Sequence, residues 1–308
     1  MIVLFLCQLC SGCLAMTGLC RTDHVSWRYF RLMQRVALGL LLAAGVFVAT
    51  VPNWREEPVL RRAAAAIAVS AIVVVVGLTT VGRNGDSPQR SRRTIGWLGA
   101  ACTLIAAASL ASPNGPLVSQ AWPRASPEYV SESRVEIIGA NGSTTITAVS
   151  PPAEPRGARS PAGMSAALAP AWISAALGAG VLGAVTAGML LGHSYLTHVT
   201  MPIDPLRRLT SIVAVMVLLK SAWAAVNLAA SREWLNVDGP QATWLWLMLG
   251  LRIGVGLLGL GVLAYMIRDC VRLRNTQSAT GILFIAMVFA FLGELSSAEL
   301  GRAFGVWV

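Results

Sequence analysis

Residues 172–208 read WISAALGAGVLGAVTAGMLLGHSYLTHVTMPIDPLRR. The first two thirds is one apolar run with small residues, Gly180, Ala184, Gly188 and Gly192, recurring four apart. That spacing puts them on one face of a helix, where a neighbouring backbone can approach closely, as in small-xxx-small packing between membrane helices. The run closes on Gly192-His193 and turns through Tyr195, His198, Pro202, Asp204 and Pro205 into Arg207-Arg208. A span of this length, bounded by arginines and carrying no charge inside, is a transmembrane helix ending at an inner membrane surface.

Similar runs fill the chain. They lie near Val36 to Val51, Arg62 to Val81, Ile95 to Ala111, Leu168 to His193, Leu206 to Leu228, Trp244 to Ile267 and Ser278 to Leu295. Each approaches or exceeds the ~20 residues that cross a ~30 Å hydrocarbon core. Ile2 to Leu19 is a short further candidate; it lacks the basic start and the clear cleavage site of a secretory signal. Backbone groups in lipid must be satisfied within the segment, and long uninterrupted runs do not fit the alternation of a membrane barrel. The expected fold is therefore all-α, a polytopic transmembrane bundle of 7–8 spans. With 55% hydrophobic and only 12% charged residues, the composition agrees.

The net charge of +10 would suggest nucleic acid in a soluble protein, but its distribution follows the membrane instead. If loops alternate sides, one set holds thirteen arginines (Arg21, Arg28, Arg31, Arg35, Arg83, Arg90, Arg92, Arg93, Arg207, Arg208, Arg268, Arg272, Arg274). The opposite short loops and the tail hold five: Arg55, Arg61, Arg62, Arg232 and Arg302. The positive-inside bias puts the first set in the cytoplasm and the C-terminus outside, in a cytoplasmic (inner) membrane. Most tryptophans, among them Trp54, Trp172, Trp244, Trp246 and Trp307, fall at the outer boundary, where amphipathic rings favour the interface. The lipid bilayer is the expected partner, together with other membrane or peripheral subunits, and nucleic acid is not.

Three regions result: N-terminal spans over residues 1–111, an outer loop over 112–167, and a C-terminal four-helix bundle over 168–308. In the loop, alternating residues on both sides of Asn141-Gly142 predict a small β-hairpin over 134–147. Cys7, Cys10 and Cys13 share the C-x2-C-x2-C spacing of part of an iron–sulfur run, but Cys20 follows too late to complete one. On a helix they form a drifting apolar stripe, where cysteine behaves as a small hydrophobe.

Two constellations could carry chemistry. At the inner boundary, His193, Tyr195 and His198 end the central helix, and Gln277, Ser278 and Thr280 open the last span at the same level. Together they could line a pocket for haem b or a quinone; His193 could be an axial ligand, a proton-relay partner or a plain interfacial residue. Asp204 and Ser278 suit N-caps. Within the membrane, Lys220, Arg252 and Glu294 interrupt three different spans. At ~1.5 Å per residue, Lys220 stands roughly 18 Å above Arg208 and Glu294 roughly 24 Å above Ser278, while Arg252 lies roughly 12 Å below Trp244. All three reach the outer half, so an ion-paired cluster with Asn227 as a polar neighbour can form, and ionisable groups in lipid are usually paired and functional. A buried pair that only sets helix register, or a snorkelling Lys220, is the plainer alternative.

The C-terminal Gly293-Glu294-Leu295, followed by Gly301-Arg302, resembles the closing motif of membrane-anchor subunits in dimethyl-sulfoxide-reductase-type complexes. That resemblance implies a quinol-oxidising anchor passing electrons to a peripheral iron–sulfur subunit. Nothing in the chain has the Ser-His-Asp, metal-ligand or phosphate-loop spacing of an autonomous enzyme. The expectations are thus a quinone- or haem-interacting membrane subunit, a small transporter or channel built on Lys220, Arg252 and Glu294, or a structural protein.

Overall fold

A computed structural model describes residues 2–19, 27–51, 54–83, 89–110, 162–197, 202–230, 240–304 and 306–308. The helices, in chain order, are α1 (Ile2–Leu19), α2 (Trp27–Ala49), α3 (Pro58–Arg83), α4 (Gln89–Leu110), α5 (Ala162–Thr197) and α6 (Asp204–Ala230). Then α7 (Pro240–Gly250) runs through a π-helical segment, π1 (Leu251–Gly259), into α8 (Leu260–Arg272), and α9 is Thr276–Phe304. No strand occurs among the described residues, and the hairpin expected over 134–147 lies outside them. Seven helical stretches are long and apolar enough to cross a membrane, and a shorter apolar helix, Arg93–Ala108, lies within α4. These helices are those of a multi-pass membrane protein.

Ile2–Leu19, the short further candidate, is one of the seven; its burial is what the sequence did not announce. At 18 residues α1 is short for a bilayer, yet 72% of it is buried inside the bundle, against 28–33% for the spans of α2, α3, α6, α7–π1–α8 and α9. Only α5, at 67%, compares. α1 packs on α2, α4 and α5, and its two faces enter different cores. Phe5, Leu9, Cys13 and Met16 join the large core built with Leu182 and Val185 of α5, Leu209 of α6 and Leu283 of α9. Cys7, Cys10 and Leu14 join a second core with Leu41 of α2, Ile67 of α3 and Ala100 of α4. The three cysteines are thus packing residues at 0% exposure.

Small residues let α1 sit between α4 and α5. Gly12 of α1 and Gly183 of α5 meet backbone to backbone, so a Cβ on either would overlap main-chain atoms of the other. On the opposite side a Cβ on Gly96 of α4 would stand 2.7 Å from Thr17 Oγ1 and 3.0 Å from the Leu14 carbonyl. Ser11 adds a hydrogen bond to the Ala100 carbonyl at 2.8 Å, and Tyr29 of α2 donates to the Ala187 carbonyl of α5 at 3.1 Å. Lipid supplies no hydrophobic drive for helices to associate, so close van der Waals contact and such hydrogen bonds hold the post in place.

The expected stripe on α5 behaves differently. Gly180 faces Met216 of α6, while Gly188 and Gly192 face Leu283 and Thr280 of α9, all side-chain contacts. The backbone crossing falls instead on Gly183, three residues from Gly180. Gly256 of π1 rests on Gly293 of α9, where an added Cβ would lie 2.6 Å from the Gly293 Cα, while Gly250 and Gly254 meet no neighbour among the described residues.

Candidate functional site

The two constellations fare unequally. In the first, His193 is exposed near the end of α5, Gln277 and Ser278 are exposed at the start of α9, Thr280 is half-buried against Gly192, and His198 lies outside the described residues. Tyr195 is buried, but its hydroxyl donates to the Pro202 carbonyl and so ties the end of α5 to the turn before α6. Two expected caps also move. Asp204 is the first residue of α6, where its carboxylate suits the positive helix end, and Asn275 Oδ1 takes the Ser278 amide at 3.1 Å, so Asn275 caps α9. Tyr195 is accordingly a turn residue: Tyr195→Phe is expected to cost about 1 kcal/mol, the net worth of one hydrogen bond. A melting curve of that variant checks it, and a change no greater than that of Phe47→Tyr on the exposed face of α2 would remove the role.

Lys220, Arg252 and Glu294 are brought together. They are the only Lys, Arg or Glu residues buried among the described side chains, at 1%, 1% and 2% exposure. Glu294 Oε1 accepts from Arg252 Nη1 at 3.0 Å, and its Oε2 lies 3.4 Å from Lys220 Nζ. Lys220 Nζ also donates to both the carbonyl and the hydroxyl of Ser174 at 2.9 Å. Four elements therefore converge, α5 through Ser174, α6 through Lys220, π1 through Arg252 and α9 through Glu294.

Local sequence explains the convergence. Gly178 of α5 makes room for the carboxylate, since a Cβ there would overlap Glu294 Oε2; Gln8 of α1 reaches the same spot, its Nε2 3.5 Å from that Cβ position. The nine residues of π1 include Gly254, Gly256 and Gly259, and the widened turns put Arg252 over the Gly256–Gly293 contact, with Nη1 3.3 Å and 3.2 Å from the Cβ positions of those glycines. π-Helices occur mostly as single-turn bulges, frequently at functional sites; this one is nine residues long and its second residue is the arginine. Asn227, expected beside the cluster, bonds instead to the Trp223 carbonyl of its own helix at 3.0 Å. Lys220 does not snorkel. Ser174 and Gln8 are the polar members that sequence reasoning missed, because a serine and a glutamine in apolar helices carry no spacing that ties them to a distant charge.

Hydrogen-bond capacity is matched unevenly across the site. The three donors of Lys220 meet two Ser174 oxygens and Glu294, and each Glu294 oxygen faces one cation. Arg252 has five donors and only Nη1 is engaged; Nε and Nη2 are buried with no partner among the described residues, as is Gln8 Oε1. Two cations share one anion, so the site holds one excess positive charge. Elsewhere the C-terminal motif splits: Arg302 pairs with Glu299 at 3.0 Å within α9 rather than with Glu294.

Comparison with protein-family models, curated proteins and solved structures finds no match to this chain. The resemblance of residues 293–302 to an anchor-subunit motif therefore stands without a family behind it, and the site has to be read from its own chemistry.

Proposed function

We propose that this multi-pass membrane protein is a small transporter whose solute site is the Lys220–Arg252–Glu294 cluster. The observation that carries this reading is that ionisable groups from three separate spans meet, wholly buried, beside a nine-residue π-helix. Burying ions in lipid costs several kcal/mol each, which a purely structural helix contact does not require, since apolar side chains of similar volume pack as well or better. Counting along the helices puts the cluster ~15 Å from the ends of α6 and α9 that carry Ala230 and Phe304, and ~24–27 Å from their other ends. The arginine asymmetry supports placing the near ends outside and the basic loops in the cytoplasm. A haem- or quinone-binding subunit ranks lower, because His193, Gln277 and Ser278, expected to line one pocket, are all exposed.

Reconstitution tests the proposal. Liposomes of phosphatidylethanolamine and phosphatidylglycerol containing the protein are adsorbed on a solid-supported membrane and exposed to jumps of potassium chloride, potassium formate, potassium acetate and potassium phosphate. At least one jump is expected to evoke a current several-fold above protein-free vesicles, lost in Glu294→Gln protein that still runs as a single species. Currents equal to those of empty vesicles throughout the series would overturn the transporter reading.

A further inference from the structure

We infer that the unpartnered edge of Arg252 is a binding site for one singly charged oxyanion group, a small carboxylate being the fitting solute. The inference rests on the transporter reading for its purpose but not for its chemistry. A guanidinium presents two bidentate faces, and its Nε–H and Nη2–H are parallel neighbours on one of them, the fork that matches the two oxygens of a carboxylate. These are the two nitrogens left without a partner, while Nη1, on the other side, is held by Glu294. The arginine is thus anchored by one nitrogen and presents a complete fork, 1% exposed.

Charge points the same way. With two cations and one carboxylate, the cluster is short of one negative charge, and a bound monoanion makes it neutral. A buried arginine edge without a hydrogen-bond partner carries the full cost of its desolvation, which a bound oxyanion would offset. Water could satisfy the donors but leaves the charge. Lys220 does not compete for the anion, because its three donors are already placed on Ser174 and Glu294. Glu294 in turn holds the arginine in position: its Oε1 fixes Nη1, and Gly256 and Gly293 leave the space in which that nitrogen lies. Glu294 and Lys220 are positioning residues in this arrangement, and Arg252 is the one that touches the solute.

The experiment uses the full chain in a neutral maltoside detergent, freed of lipid. Sodium formate is titrated against sodium chloride at constant ionic strength, and the melting midpoint and the Arg252 Nε–H resonance of arginine-labelled protein are followed. Formate is expected to raise the midpoint saturably by roughly 3 °C or more and to move the Nε–H signal with the same midpoint concentration. Arg252→Lys keeps the charge but has no fork, and is expected to lose the formate response. Should that variant not fold, the wild-type Nε–H titration decides alone, since a site elsewhere would not move it. A parallel arm adds phosphatidylglycerol in place of formate. A response to the lipid alone keeps the oxyanion at Arg252 and makes a headgroup phosphate its source, overturning the free carboxylate. No response to either overturns the site and leaves water at the edge. Formate binding without current in liposomes would sink the transporter reading and spare the site; current without binding would do the reverse.

Discussion

Glu294→Ala protein is expected to be the least stable single variant of the buried cluster, melting roughly 10 °C below the wild type, whereas Lys220→Met loses far less. The reason is the charge left behind. Removing Glu294 strands two cations side by side within the bundle, and breaking a buried pair by removing one partner costs about 3–5 kcal/mol; at ~2–4 °C per kcal/mol for a large domain this gives the stated shift. Lys220→Met instead leaves Arg252 and Glu294 as a neutral pair held at 3.0 Å, and the lost donors return Ser174 to an ordinary helix serine. The triple variant with Met at 220, 252 and 294 is expected to melt near the wild type or above it, because an apolar replacement of a whole buried ion cluster is often neutral or stabilising. Thiol-reactive fluorescence gives the readout as a rise above the signal of the partly exposed Cys102 and Cys270, since Cys7, Cys10 and Cys13 are wholly buried and become reactive only when α1 leaves the bundle. Equal losses for Glu294→Ala and Lys220→Met would mean that shape, not charge, sets the cost, and would remove the electrostatic account of the site.

What the sequence revealed and what it hid follow from the solvent. In lipid, an apolar run announces a span but not which way it faces, because lipid-facing and protein-facing surfaces are equally apolar. The helices of this bundle and the meeting of Lys220, Arg252 and Glu294 were therefore legible: length marks the first, and the cost of unpaired charge forces the second. The centrality of α1 was not. Its length argued against it, yet Gln8, Ser11, Gly12 and Thr17 within 18 residues were a readable sign, as polar and small residues in a span belong on packed faces. Glycine positions misled for the related reason that several faces of α5 carry small residues. Gly178, Gly188 and Gly192 meet α9, Gly180 meets α6 and Gly183 meets α1, and only the three-dimensional crossing of α1 selects Gly183. The inner-boundary residues were grouped by depth alone, and depth does not say which side of a helix a residue occupies; His193 falls on the outside of its helix and Tyr195 on the inside. π1 had no signal beyond its glycines.

Gly183→Leu is expected to abolish the folded bundle, and Gly183→Ala to cost about 3 kcal/mol, the upper end for an overpacked core. Most small-to-large substitutions are relieved by a neighbouring side chain changing rotamer. Here the neighbour is the main chain of Gly12, which can move only if α1 moves, and α1 is held on its far side by Gly96 and by the Ser11–Ala100 hydrogen bond. Displacing it opens both cores it joins, so the loss spreads beyond the contact itself. Two controls on other glycines separate this from a general effect of adding a methyl group. Gly180→Ala meets the flexible thioether of Met216 and is expected to cost under ~1 kcal/mol. Gly39→Ala on the exposed face of α2 meets nothing and is expected to be neutral or to gain up to ~1 kcal/mol from helix propensity. Size-exclusion profiles and melting midpoints of the three alanine variants, measured in one detergent, give the order. If Gly183→Ala melts with Gly39→Ala, α1 is not pinned between α4 and α5, and the packing that brings Gln8 to the ion cluster falls with it.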